Sequence, residues 1–248
     1  MSSLKEIKSR IASVRNTLKI TSAMKMVASA KLHKAQAAIG GKLPYEQKLH
    51  HILSGLLQDD DLHKAMHDQL GFGGPHGHSA VVLQDVGLDQ IPSKDVYPRI
   101  AVVAFSSNSS LCGAFNANAI KKYYQTVGIL EGQGYEREDI DIYVVGRKMA
   151  DAVRKSGYTI KADLSEIADR PSYDAAASLA ESLVDSFTSG EVAQVMLVYS
   201  HFASPASQPV VRENFLPLPL HDYDEGTVEP IDYLLEPDPL TLVRHLLP

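Results

Sequence analysis

The one thiol of the chain, Cys112, could serve as a nucleophile with His201 as its base. Such a pair needs a third group to orient the imidazole, and none is identifiable in the sequence. Cys112 therefore reads better as a small apolar residue packed at a strand-to-helix turn. A single cysteine also excludes an internal disulfide and every multi-cysteine metal cluster, and a reduced compartment is the simpler assumption. The run around it, SSNSSLCGAF at 106–115, sets hydroxyls and a glycine at a helix start, a composition that can cradle phosphate. It matches neither GxGxxG nor GxxxxGK(S/T), and no Lys or acid follows at the expected place. His63 and His67 stand at i,i+4 spacing with His76 and His78 beyond them. No acid or thiol completes a ligand set there, so solvated histidines are the reading. With no paired carboxylates and no Ser-His-Asp constellation, no active site, cofactor or metal is expected.

These residues belong to a segment in which strand and helix alternate. RIAVVAF from Arg99 is a short β-branched run of the kind buried on both faces of a parallel sheet. A loop and a helix from about Ala114 follow. DIYVVG (141–146) is a second strand, RKMADAVRKSGY a second helix and YTIKADL a weaker strand. SYDAAASLAESLVDSFTSG gives a third helix, opened by Ser172 as N-cap and closed by Gly190. VAQVMLVYSHF is the next strand, with PVVRENFLPL pairing back against it. This order is the sequence form of a three-layer, Rossmann-like α/β domain over 99–220.

The N-terminal stretch has different periodicity and charge. Apolar or small residues fall at Leu4, Ile7, Ile11, Val14, Leu18 and Thr21, the alternating steps of a left-handed coiled-coil seam, which needs a partner helix. After Thr21 the repeat slips to Met24, Val27 or Ala28, Leu32, Ala35 and Ile39, nearer 3.6, so the supercoil should relax along the helix. Gly40, Gly41 and Pro44 predict a break or kink, after which Tyr45, Leu49, Ile52, Leu53, Leu56 and Leu57 resume a helical face to about residue 57. At about 1.5 Å per residue even the first part is roughly 50 Å long, so much of it should project as a shaft.

Residues 1–50 carry ten Lys and Arg against Glu6 and Glu46, a net +8, and the remainder is −14. Three readings fit a basic, apolar-striped helix: a solvated coiled-coil face, a surface for nucleic acid or membrane, or a shaft inside a protein sleeve. Tyr45 is the first aromatic residue, which weighs against both nucleic acid and membrane binding. No apolar run approaches the 18 residues of a membrane span, and residues 1–30 lack a signal peptide's apolar core. Residues 58–98, with three consecutive aspartates and GFGGPHGHS, read as a loop or variable insertion. Residues 221–248 are acidic and Pro-rich, then begin a helix near Pro239.

The run IKSRIASVRNTLKITSAMKMVASAKL at 7–32 resembles the N-terminal signature of the gamma subunit of F-type ATP synthases, nearly continuously over its length. LCGAFN (111–116), VVGRK (144–148), LVYSHFAS (197–204) followed by Gln208, and the closing EPDPLTLVRHLLP agree with it in order. One departure stands out: the family usually carries Asp-Arg-Gly before its Leu-Cys-Gly, where this chain has Asn108, Ser109 and Ser110.

The resemblance implies a central-stalk rotor that is not itself catalytic. Its first helix would turn inside a ring of α and β subunits, and its α/β domain would sit on the membrane c-ring with the epsilon subunit. A peripheral place on the cytoplasmic face of the bacterial inner membrane follows, as does an ion-driven reaction. Met24 and Lys25 would face the β subunits near the bottom of the collar, with Lys8 and Arg10 deeper in the sleeve. Family members continue past the position of Pro248 into a long helix antiparallel to the first. The sequence is thus expected to be a truncated form, with the helix that carries the seam of Leu4, Ile7, Ile11, Val14 and Leu18 held by the ring, held by a neighbouring molecule, or only partly ordered. Leaving those five positions exposed forfeits on the order of 1.5 to 3 kcal/mol each, against a total stability of about 5 to 15. The rival readings are a basic coiled-coil adaptor for nucleic acid or membrane, and an α/β nucleotide-binding protein with its ligand at 106–113.

Overall fold

The structure, a computed structural model, describes residues 3–57, 99–204, 206–216 and 241. The expectations for 58–98, including its four histidines, and for the acidic Pro-rich segment with a helix near Pro239 lie outside the described residues, Thr241 alone excepted. The chain divides into two units, one holding the long helix and the other the α/β sheet.

The helix, α1, runs Leu4–Leu57. Its first turn is secured by Ser3, whose hydroxyl accepts from the Lys5 amide at 3.3 Å and whose carbonyl accepts from the Glu6 and Ile7 amides. The break expected at Gly40, Gly41 and Pro44 is absent: helix continues through all three to Leu57. Pro44 lacks one N–H, so one rung is lost at the carbonyl of Gly40. With no Cβ at Gly40 that carbonyl can tilt away from the ring, and strong helix formers on both sides carry the helix across.

In the second unit, β1 (Ile100–Phe105), β2 (Ile140–Val145), β3 (Ile160–Asp163), β4 (Gln194–Ser200) and β5 (Val210–Leu216) form one sheet of order β3-β2-β1-β4-β5. The first four are parallel, and β5 returns antiparallel to β4. Between them lie α2 (Phe115–Gly132), α3 (Arg147–Lys155), α4 (Ser165–Asp169) and α5 (Tyr173–Thr188). Every strand foreseen from the apolar runs is present, and so are the three long helices; the five-residue α4 carries no period that a sequence could display.

Alternation along the strands sends side chains to two cores. Ile100, Val102, Ile142 and Val144 pack with Tyr123, Leu130, Met149 and Val153 of α2 and α3. Ala101, Val103, Tyr143 and Val145 pack on the other face with Leu183 of α5, and Ile167 of α4 lies against that cluster. These are the three layers of a Rossmann-like α/β domain, with β1 central and buried on both faces. Ser172 caps α5 as expected, its hydroxyl accepting from the Ala175 amide at 3.2 Å.

Candidate functional site

Two surfaces are candidates. On α1, Leu4, Ile7, Ile11, Val14 and Leu18 are all exposed, from 46% at Ile7 to 72% at Leu4. Met24, Met26 and Val27 are likewise open. Among the described side chains of the helix only Gln36, Leu49 and Ile52 are partly covered. An apolar face this long belongs in an interface. Lys8, Arg10 and Lys25 are exposed too, and Arg10 pairs with Glu6 at 2.9 Å, one turn away. Glu6 and Glu46 are the only acids in the first 50 residues, so most of the positive charge has no counter-charge within the helix. Thr17 and Thr21 turn their hydroxyls onto the carbonyls of Ser13 and Thr17, at 3.1 and 2.8 Å, which satisfies them within the helix. Among the described side chains the surface is therefore apolar contacts interleaved with long cations, able to press on neighbouring protein.

The second candidate is the loop after β1. The strand order reverses about β1, so an open α/β sheet would bind a ligand here, at the carboxyl ends of β1 and β4. The loop's polar groups are turned inward instead. Asn116 accepts from the Ser107 amide at 2.9 Å and donates to the Ser109 carbonyl and Cys112 Sγ at 2.8 and 3.0 Å. The N-terminus of α3 is also filled: the Met149 amide donates to Ser106 Oγ at 2.8 Å and the Arg147 amide to Asn108 Oδ1 at 2.7 Å. The space a phosphate would take is occupied by this chain's own side chains. Ser106 reaches that position because residue 146 is glycine, at φ +116°, where any Cβ would collide with the Ser106 carbonyl.

Cys112 and His201 are engaged elsewhere. Cys112 Sγ sits between Asn116 and the Ser109 carbonyl, and the imidazole of His201 lies edge-on to Tyr199 at 6.4 Å. Among the described residues no cluster of His, Cys, Asp and Glu could hold a metal, and no helix is long and apolar enough to cross a membrane.

At the opposite end of the strands Asp141, buried, accepts from Arg99 and from Lys161, the latter at 2.7 Å, and Lys161 also reaches Glu191 at 2.6 Å. Desolvation alone would lower the Lys161 ammonium's pKa; the bonds to Asp141 and Glu191 outweigh it and hold the pKa above the ordinary lysine value.

The family profile described as ATP synthase matches residues 3–248. The chain belongs to the ATP synthase gamma family. The gamma chain of Phocaeicola vulgatus is 44% identical over 252 residues, covering 100% of this chain and 78% of that one. That of Bacteroides thetaiotaomicron is 42% identical over 259 residues with the same coverage. Among solved structures, the central stalk and c-ring of the Tetrahymena thermophila mitochondrial ATP synthase aligns over 73% of this chain and 79% of the other, at 19% identity and a TM-score of 0.40. As a gamma-family member the chain is a central-stalk subunit of the F-type ATP synthase, a complex that makes ATP. In this gamma-family chain Ser106, Asn108 and Asn116 stood in the sequence only as members of motifs, and the bonds they accept from the Met149, Arg147 and Ser107 amides were not foreseen. The run SSNSS could have cradled phosphate by composition, a reading the sequence already disfavoured, and in the structure it is turned onto the protein.

Proposed function

We propose that this chain is the rotating shaft of its ATP synthase. The observation that carries the reading is α1: a 54-residue basic helix, apolar along one seam and exposed at nearly all of its described side chains, in a chain of the gamma family. Inside a ring of α and β subunits the seam of Leu4, Ile7, Ile11, Val14 and Leu18 packs on a helical partner. Met24 and Lys25 then bear on the β subunits, and Lys8 and Arg10 lie deeper in the sleeve. A shaft that meets three similar neighbours in turn needs contacts of low specificity, which apolar stripes and flexible cations supply. Torque is the difference in affinity of successive shaft orientations for successive β conformations. The α/β unit couples to the membrane c-ring together with the epsilon subunit, and the protein lies peripherally on the cytoplasmic face of a bacterial inner membrane. No catalytic step is assigned to it, since the polar groups of the ligand-type corner found among the described residues are spent on the chain's own atoms.

The test is co-elution of the chain with the α, β and epsilon subunits on a sizing column, followed by ATPase assay of the assembled peak. A stoichiometric complex whose activity depends on this chain supports the rotor reading. An assembled, active α/β hexamer that excludes the chain at high protein concentration would overturn it.

A further inference from the structure

Residues 4–39 of α1 hold neither Gly nor Pro; Gly40, Gly41 and Pro44 then follow within five residues of a helix that continues to Leu57. In a helix interior each glycine is about four- to fivefold less favourable than alanine, and proline roughly a hundredfold or more. The Pro44 nitrogen carries no hydrogen, so the Gly40 carbonyl one turn back receives no bond from it. Gly40, Gly41, Pro44 and Tyr45 are all exposed, so little packing makes up for these losses.

Nothing within this chain calls for glycine at 40 or 41. Neither residue has a φ in the left-handed range, and a Cβ on either would meet nothing within 4 Å. What the two glycines contribute is freedom, since no side chain restrains their φ and ψ. Helices bend sharply at prolines and at small-residue pairs of this kind, and the missing rung lets α1 open there without breaking a bond. The two sides of the stretch also differ. Leu4, Ile7, Ile11, Val14 and Leu18 all lie before it and stand open, whereas Leu49 and Ile52 beyond it are partly covered. A bend at 40–44 redirects the seam and leaves the covered side in place.

We propose that residues 40–44 are a hinge in α1, about which residues 4–39 swing as one rod relative to residues 45–57. The hinge is a property of this helix and stands apart from the rotor reading. Only its use to a shaft, keeping the seam aligned with neighbours that change shape, rests on that reading.

The test uses the full chain with Cys112→Ser, so that spin labels attach only at introduced thiols. One pair of labels is carried by Ala12→Cys with Ala30→Cys, the other by Ala30→Cys with Lys48→Cys. All three positions are exposed, and each pair is 18 residues apart. That is five turns, which puts both labels on one face about 27 Å apart. Only the second pair spans 40–44. Pulsed dipolar spectroscopy reads the distance distribution of each.

The distribution across 40–44 is expected to be at least twice as wide as the one before it. Gly40→Ala together with Gly41→Ala should narrow it, and adding Pro44→Ala should bring it to the width of the first pair. Amide exchange at Tyr45 should slow about twentyfold in the double glycine variant, two steps of four- to fivefold. Equal widths for the two pairs in the unaltered chain overturn the hinge, whether both are narrow or both broad. So does a wide distribution that the alanine substitutions leave unchanged. If those substitutions leave the distances alone and instead weaken assembly with the ring subunits, the glycines serve a close contact with a partner and the hinge falls. The distances need no partner subunit, so failure of the rotor reading would leave this result standing.

Discussion

Leu18 and Leu130 are the same residue on two helices, one 64% exposed and the other fully buried. The contrast runs through the molecule. In the α/β unit, the central strand is buried from Ile100 to Ala104 and most interior polar groups are paired. On α1 apolar side chains stand in the open, and the helix is held by local devices: the Ser3 cap, the Arg10–Glu6 pair and the threonine hydroxyls turned back on their own carbonyls. One region keeps its shape by its own core. The other presents a face that would be covered by something else, and in the rotor reading proposed above it is the region that meets the partners. In a transmission element the stiff part and the contacting part are built by opposite rules.

The hardest way to break the self-sufficient half is at Gly146. Its φ of +116° and the Ser106 carbonyl just beyond its missing Cβ leave no room for a side chain. Gly146→Val combines backbone strain with a backbone clash and should cost more than about 4 kcal/mol, enough to prevent the sheet domain from folding. Near-ultraviolet circular dichroism should lose its tertiary signal while far-ultraviolet helix from α1 persists in part.

The two leucines test the comparison directly. Leu130→Ala empties a filled position of the α2–sheet core and should cost about 2 to 5 kcal/mol in urea unfolding of the isolated chain. Leu18→Ala removes nothing buried and exchanges one good helix former for another, so its cost in the same assay should stay within about 0.5 kcal/mol. Its effect should appear instead as weaker assembly with the ring subunits. If both substitutions destabilise the isolated chain equally, the seam is already covered and the contrast fails.

Much of this was legible in the sequence, for a physical reason in each case. Val102, Ile142 and Val144 announce strands because burial on both faces demands unbroken β-branched runs. Ser172 announces a helix start because capping is local. The same locality misled at Gly40, Gly41 and Pro44, where three unfavourable propensities were outweighed by the cooperative helix on either side. Asn108 was illegible because its partners, the Arg147 amide and the Ser165 carbonyl, are 39 and 57 residues away and are backbone atoms that any sequence would supply. The seam of α1 could be read, but its partner could not, because a period states that a face is to be buried and not by what.

The ionic cluster under the sheet sharpens the comparison through pH. Asp141→Asn leaves Arg99 and Lys161 facing a neutral side chain at a buried position, which should cost about 1 to 3 kcal/mol, less than a fully buried pair because both cations reach solvent. Lys161 is held above the usual lysine value, so its contribution is complete below about pH 10.4 and fades only as pH rises through the raised value. Asp163 and Glu191 are held below theirs, Asp163 chiefly by the Ser165 hydroxyl and Glu191 by Lys161. Their contributions are complete above about pH 4.5 and are lost as pH falls through the lowered values. Urea midpoints should therefore be flat between about pH 5 and 10 as far as these groups are concerned. In Asp141→Asn the alkaline decline should be reduced.

The smallest effect expected within the α/β unit is at Ser172. Its hydroxyl satisfies one amide of α5, and the adjoining backbone is already extended at φ −130°, ψ 154°, as a cap requires. Ser172→Ala should cost about 1 kcal/mol, and Ser172→Asp should restore or slightly exceed the original stability, since a carboxylate accepts the same bond and favours the helix N-terminus. On α1 the matching change is Ser3→Ala, where the cap protects a terminus that carries no tertiary packing of its own among the described residues. There the loss should appear as fraying, read as faster amide exchange at Lys5, with the urea midpoint of the sheet domain unmoved. Equal shifts of that midpoint for both substitutions would mean that the two units unfold as one, and that the helix draws more of its stability from the chain than its exposed surface indicates.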